Sequence, residues 1–342
     1  MGTDAQDAHE AMLYEKQEGG ACDCFLCAHR CHIAPGKRGF CRVRENRNGT
    51  LVSLVYGKVI AANADPIEKK PLYHFMPGTV SFSVATAGCN FRCDFCQNWQ
   101  ISQGGADHIP GDYLPPERIV QAAEERSCPS ISYTYTEPTI FFEFAHDCAQ
   151  LAQGRDIRNC FVTNGYMTPQ TIEVMAGLID AANVDLKAFT DSFYKERCAG
   201  RLEAVKESIR LMHEAGIHVE VTTLLIPGYN DDPAELRALT AFLAGVNADI
   251  PWHVSRYHPD YRFDHAPVTT PQAILQAIEI GREAGLKYIY AGNMHTGDFE
   301  DTLCPECGNV VIKRSAFSAK KINLSGNACG ECGAVLPIVV TE

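Results

Sequence analysis

Between residues 81 and 293 the chain repeats one pattern: a short apolar or β-branched run, a polar loop, then a stretch of helical periodicity. The runs fall at 81–87, 131–136, 160–164, 183–187, 218–226, 252–257 and 288–292. The helical stretches fall at 115–126, 140–153, 169–179, 202–215, 233–245 and 271–284. Three of them begin at Pro169, Pro233 and Pro271, where a missing N–H costs nothing in a first turn. Leu202, Val205, Ile209 and Met212 recur on one helical face. Alternating strands and helices predict an α/β fold with parallel strands and right-handed crossovers. Six or seven units predict a (β/α) barrel, partial or full. The pattern divides the chain into a polar segment (1–20), a cysteine-rich module and connector (21–80), the barrel (81–299) and a compact cysteine module (300–342). The connector carries an apparent strand over 51–61 and is punctuated by Pro66, Pro71 and Pro77. Its charged run from Asp65 to Lys70 reads either as a solvated connection or as a segment reaching the barrel mouth.

In such folds ligands sit where strand C-terminal ends meet the following loops. The polar motifs of the chain fall at those places. A loop with Cys89, Cys93 and Cys96 follows the first run, and Tyr135-Thr136-Glu137-Pro138 the second. Thr163-Asn164-Gly165 follows the third, Asp185-Leu186-Lys187 the fourth, the 226–231 loop the fifth and Tyr257-His258-Pro259 the sixth. Six separate segments are thus expected at one mouth.

The net charge is −12 over 342 residues, with no long basic run, so neither nucleic acid nor an anionic membrane is an expected partner. No stretch approaches the roughly 20 apolar residues of a membrane span. Residues 1–20 lack the basic and apolar regions of a signal peptide, so a cytoplasmic location is expected. Sixteen cysteines in a reducing compartment read as metal ligands rather than disulfides. Five lie within 22–41, three within 89–96 and four within 304–332. The scattered Cys128, Cys148, Cys160 and Cys198 read as small buried hydrophobes.

The three sets differ in what they offer. Cys89-x3-Cys93-x2-Cys96 gives an iron–sulfur cluster three thiolates and no fourth. That leaves one iron open to a ligand that is not protein; zinc with a remote fourth ligand is the alternative. Cys304-x2-Cys307 and Cys329-x2-Cys332, 21 residues apart, form two knuckles of a closed zinc ribbon, with a rubredoxin-like iron as competitor. Cys24-x2-Cys27-x3-Cys31-x9-Cys41 supplies four ligands for zinc or an auxiliary iron–sulfur cluster, with Cys22 spare.

The central loop resembles the radical S-adenosylmethionine (SAM) superfamily, whose signature is Cys-x3-Cys-x-aromatic-Cys, with Phe95 at the aromatic position. The resemblance implies a [4Fe–4S] cluster that cleaves SAM reductively into methionine and a 5′-deoxyadenosyl radical, which abstracts hydrogen from a substrate. It further implies that Lys187 meets the SAM carboxylate, Thr136 and Glu137 its amino group, Asn164 and Thr163 its ribose, and Phe95 its adenine. Asp185 would orient Lys187 or bind a small cation. Asn98 and His258 are further candidates for cofactor binding. No catalytic residue beyond the cluster is assigned.

Thr163-Asn164-Gly165, Asp185-Leu186-Lys187 and Tyr257-His258 resemble the pyruvate formate-lyase activating enzymes. Those enzymes carry Asp where this chain has Val162, within a cation site beside SAM. The segments 35–44, 65–72, 134–143 and 251–261 resemble the radical SAM component of the AmmeMemoRadiSam system. That family carries the same N-terminal cysteine pattern, which favours Cys24, Cys27, Cys31 and Cys41 over Cys22. The implied partners are an electron donor such as flavodoxin or ferredoxin, together with Memo-like and AMMECR-like proteins. The substrate, whether a protein glycine or a small molecule, is left open. A metal-binding adaptor without activity would have no use for polar strand ends around an under-ligated cluster.

Overall fold

The computed structural model describes residues 9–104, 109–294 and 297–341. Residues 1–8 of the expected polar segment, 105–108 and 295–296 of the barrel range, and residue 342 lie outside the described residues. One sheet carries the fold. Its strands are β1 (Lys58–Pro66), β2 (Val80–Thr86), β3 (Ser130–Tyr133), β4 (Arg158–Thr163), β5 (Ala181–Asp185), β6 (His218–Leu225), β7 (Trp252–Arg256) and β8 (Ile289–Gly292). From β2 to β8 the strands lie in sequence order and every neighbouring pair is parallel. β1 adds antiparallel to β2, and the short strand Asp112–Tyr113 closes that edge. The two edges do not pair with each other, so the barrel is partial.

The crossovers are α1 (Pro116–Glu125), α2 (Phe142–Gln153), α3 (Pro169–Met175), α4 (Leu202–Glu214), α5 (Pro233–Asn247) and α6 (Pro271–Glu283). Their starts follow from sequence: Thr168, Asp232 and Thr270 accept from free first-turn N–H groups ahead of Pro169, Pro233 and Pro271. The predicted α4 stripe of Leu202, Val205, Ile209 and Met212 is buried. Strand residues such as Ile131, Phe161, Val184, Val221 and Val254 are buried as well, because a parallel sheet is covered on both faces. The predicted run of helix from 140 begins instead as a 3-10 turn, Pro138–Phe141.

The expected strand over 51–61 is divided. Thr50–Ser53 pairs within a small N-terminal sheet, and the main-sheet strand starts only at Lys58. Gly57 makes the break, with φ of +69° and no room for a Cβ against the Tyr113 ring. In the same module, Tyr14–Lys16 pairs with Cys22–Cys24. The buried Arg44 and Glu143 pair, which fastens this module to α2.

The connector is held from below by Glu220 on β6. Its carboxylate accepts from Tyr73 N at 2.9 Å, His74 N at 2.7 Å, His253 Nε2 at 2.7 Å and His218 Nε2 at 3.1 Å. Burial alone would raise its pKa, but the hydrogen bonds and charge of His218 and His253 outweigh burial and hold it well below the ordinary value. This stabilisation is present above the unfolded-state pKa and is lost as pH falls from about 4.3 toward the folded value. Glu220→Ala is expected to lower unfolding free energy by about 3–5 kcal/mol at pH 7, the cost of stranding buried partners. Urea unfolding checks this, and the gap to wild type should narrow as the medium is acidified below about pH 4.

Candidate active site

A cavity of about 880 Å³ opens at the C-terminal ends of β2–β8. Cys89, Cys93 and Cys96, in the loop after β2, line one wall. The loop is fixed by its backbone: Arg92 N donates to Cys198 O at 2.8 Å and Asp94 N to Arg197 O at 3.1 Å. Gly88 begins it with φ of +104°, and a Cβ there would meet Val43 at 2.8 Å. Burial pushes the Cys89 thiol well above its ordinary pKa and raises that of Cys96. Cys93 is raised first by its hydrogen bond with the Cys198 thiol and then by burial. Such thiols give up their protons to a metal's charge rather than to water. Among the described residues, only the C-terminal cysteine set has three or more ligand atoms within 4.8 Å of one another. Cys89, Cys93 and Cys96 do not all lie within that distance of one another.

Glu137, buried at the end of β3, ties the neighbouring strand ends together. Its Oε1 accepts from Thr139 N at 3.1 Å, Thr139 Oγ1 at 2.5 Å and Thr163 Oγ1 at 2.6 Å, and its Oε2 from Asn164 N at 2.8 Å. Burial raises its pKa, and these four donors oppose the rise. Asn164 Nδ2 in turn donates to Asn90 Oδ1 at 2.7 Å, beside Cys89. Thr136 Oγ1 donates to Thr86 O at 2.7 Å. On the next strand, Lys187 Nζ reaches Asp185 at 2.9 Å and lies 5.9 Å from the Phe95 ring centroid. Burial would lower the Lys187 pKa, but Asp185 and the Cys93 and Cys198 sulfurs carry it well above the ordinary value, so it remains a cation.

The cavity thus gathers Phe95, Asn98, Thr136, Glu137, Asn164, Asp185 and Lys187 around the three cysteines. Val162 also lines it. Asn98 donates to Tyr135 O at 2.8 Å. His258 is exposed and outside the lining, with its Nε2 3.3 Å from the Gln97 side chain.

The family model of the radical SAM superfamily matches residues 83–239, which carry the cavity-lining residues from Cys89 to Leu224. The chain belongs to the radical SAM superfamily. It is 44% identical to the uncharacterized protein MJ0808 of Methanocaldococcus jannaschii, over 97% of this chain and 99% of that protein. From the same organism, MJ1632 is 25% identical over 60% of this chain and 77% of its own length, and its name proposes a glycyl-radical enzyme activating enzyme. Among solved structures, Streptococcus suis SuiB bound to S-adenosylmethionine shares the fold, with a TM-score of 0.50 and 14% identity. That alignment covers 67% of this chain and 54% of SuiB. The protein is therefore a radical SAM enzyme, and its superfamily works with a [4Fe–4S] cluster and SAM. No helix among the described residues is long and apolar enough to cross a membrane.

The radical SAM cavity has a second wall that the sequence hinted at only through its charged run. Glu68, Lys69, Lys70 and Tyr73 of the connector line it. Asp65 accepts from Lys69 Nζ at 2.9 Å, from Lys70 Nζ at 2.7 Å and from the Tyr135 hydroxyl. Tyr135, which makes this contact, has a left-handed φ of +62°. Burial lowers the Lys70 pKa to about 8 despite Asp65. His253, Arg256, Glu300 and the C-terminal hairpin tip Ala316–Phe317 complete the lining. No spacing rule links that hairpin to the barrel mouth.

In the C-terminal module Cys304 Sγ lies 3.6 Å from Cys332 Sγ, and Cys307 Sγ lies 3.7 Å from Cys329 Sγ. Four sulfurs at Zn–S distances of about 2.3 Å stand roughly 3.8 Å apart on a tetrahedron, so this set fits one ion. Replacing Glu137 tests how the site is held. Glu137→Ala should weaken SAM binding to anaerobically reconstituted enzyme about tenfold or more, by the usual weight of supporting hydrogen bonds. Calorimetric titration measures it, with Glu137→Gln losing less.

Proposed function

We propose that Cys89, Cys93 and Cys96 hold a [4Fe–4S] cluster whose remaining iron takes SAM. The supporting observation is that these three thiols line one cavity with Lys187, Asn164 and Phe95, while no fourth cysteine is in that lining among the described residues. When bound, the cluster supplies one electron and SAM supplies the 5′-deoxyadenosyl radical that abstracts hydrogen from the substrate. Lys187, kept cationic beside Asp185, suits the SAM carboxylate. Asn164 and Thr163, fixed by Glu137, suit the ribose. Phe95 offers the adenine an apolar face. The four donors on Glu137 make it first a holder of strand ends, with only Oε2 left to share with an amino group. The substrate faces the connector wall of Lys69, Lys70 and Tyr73.

A glycyl-radical-enzyme activase is the second reading, favoured by the name of MJ1632. Val162, in place of the activases' Asp, weighs against it. We further propose zinc at Cys304, Cys307, Cys329 and Cys332, an electron donor of the flavodoxin or ferredoxin kind, and a place beside Memo-like and AMMECR-like proteins in the cytoplasm.

Anaerobically reduced enzyme should convert SAM to 5′-deoxyadenosine, followed by mass spectrometry. The Cys89→Ala/Cys93→Ala/Cys96→Ala variant should make none; continued cleavage by it would sink the assignment. Deuterium carried from a candidate substrate into 5′-deoxyadenosine identifies the radical's target.

A further inference from the structure

We propose that Cys24, Cys27, Cys31 and Cys41 hold a second iron–sulfur cluster rather than zinc, and that it feeds electrons to the central site past Arg92. The second half rests on the function proposed above.

The four thiols form one neighbourhood. Cys24 N donates to Cys31 O at 2.9 Å, Arg30 N closes a turn onto Cys27 O at 3.0 Å, and Phe40 N, one residue before Cys41, points at Cys31 Sγ at 3.4 Å. Yet no three of their sulfurs come within 4.8 Å of one another, unlike the C-terminal set. Zinc draws four thiolates to roughly 3.8 Å spacing; a cluster with several irons keeps them apart. The central set, in a superfamily that uses a cluster, shows the same wider spacing. Two N–H groups already aim at these sulfurs: Arg44 Nη1 at 3.0 Å from Cys24 Sγ and Phe40 N at 3.4 Å from Cys31 Sγ. Hydrogen bonds to cluster thiolates favour the reduced, more negative state.

The link to the central site is short and specific. Arg92 bridges the two cysteine loops. Its Nη2 donates to Phe40 O, next to Cys41, and its Nη1 donates to Cys89 O at 2.8 Å. His29, between Cys27 and Cys31, contacts Asn90 O at 2.7 Å. Val43 packs against Gly88 so closely that a Cβ would meet it at 2.8 Å. The outer face differs from the chain as a whole. In a protein of net charge −12, Arg30, Lys37, Arg38 and Arg42 are exposed within a span from Cys24 to Arg44 that has no acidic side chain, although Asp23 and Glu45 flank it and Glu45 pairs with Arg38. A low-potential one-electron carrier protein with an acidic face meets the molecule there. It loses one electron, the N-terminal cluster is reduced by one, and that electron leaves to the central cluster, restoring the first.

The test uses the full chain lacking the central ligands, Cys89→Ala/Cys93→Ala/Cys96→Ala, reconstituted anaerobically with iron and sulfide. It should keep about four irons, one zinc and a reducible electron paramagnetic resonance signal. Two zinc ions and no iron would overturn the cluster. Should that variant not fold, wild type decides alone: about eight irons and one zinc, against about four irons and two zinc ions. In fully reduced wild type the N-terminal signal should relax faster than in the variant, because a second spin lies close; equal relaxation would overturn the relay. Iron content is read without SAM, so wild type that fails to cleave SAM while the variant keeps its iron would refute the proposed function and leave the second site standing.

Discussion

Four hydrogen bonds into the buried Glu137 carboxylate set the geometry on which the cavity depends. Parallel strands end with free backbone groups, and strand ends that face a cavity are held only by what their loops contribute. Glu137 spans that gap from β3 to β4, orienting Thr163 and Asn164. Asn164 then reaches Asn90 and so positions the loop of Cys89. Burying a carboxylate is costly, and here the cost is offset by donors rather than by a cation. Lys187, which lines the same cavity, is paired with Asp185 instead. Acceptor and cation are thus kept on separate strand ends.

Desolvation has a second effect at the cysteine loop. Cys89, Cys93 and Cys96 are all raised above the ordinary thiol pKa. Protonated, these thiols pack as small apolar groups; in the proposed cluster they would be thiolates, with Lys187 as the neighbouring cation. Metal affinity at this loop therefore rises with pH, as each ligand must lose a proton.

The barrel was legible because each strand and helix has its own hydrophobic period and its own turn residues. The strand ends could be ordered along one rim from connectivity alone, so Thr136, Glu137, Asn164 and Lys187 were expected at a common mouth. Their hydrogen-bond partners were not legible. Nothing in the motif Thr136-Glu137-Pro138 says that Glu137 would spend Oε1 on Thr139 and Thr163. The break at Gly57 was hidden because a single left-handed residue inside a β-branched run leaves the period intact. The roles of Lys70, Tyr73 and Phe317 were hidden because they enter from segments outside the repeating unit, where no register relates sequence position to the cavity.

Those outside segments tie the C-terminal metal module to the cavity. Arg314 is buried, donates to Tyr73 O at 2.7 Å and lies 4.2 Å from the Tyr73 ring centroid. Val339 N donates to His74 O at 2.8 Å, and Met76 N to Val339 O at 2.7 Å. Glu220 holds the same connector from the barrel side. The connector is therefore clamped between β6 and the cysteine module, and the module's hairpin tip, Ala316–Phe317, forms part of the cavity wall. A module of this size has a small apolar core, which the proposed zinc would reinforce. An ion far from the chemistry would then determine the shape of the mouth through which substrate enters, by holding Tyr73 and Phe317 in place.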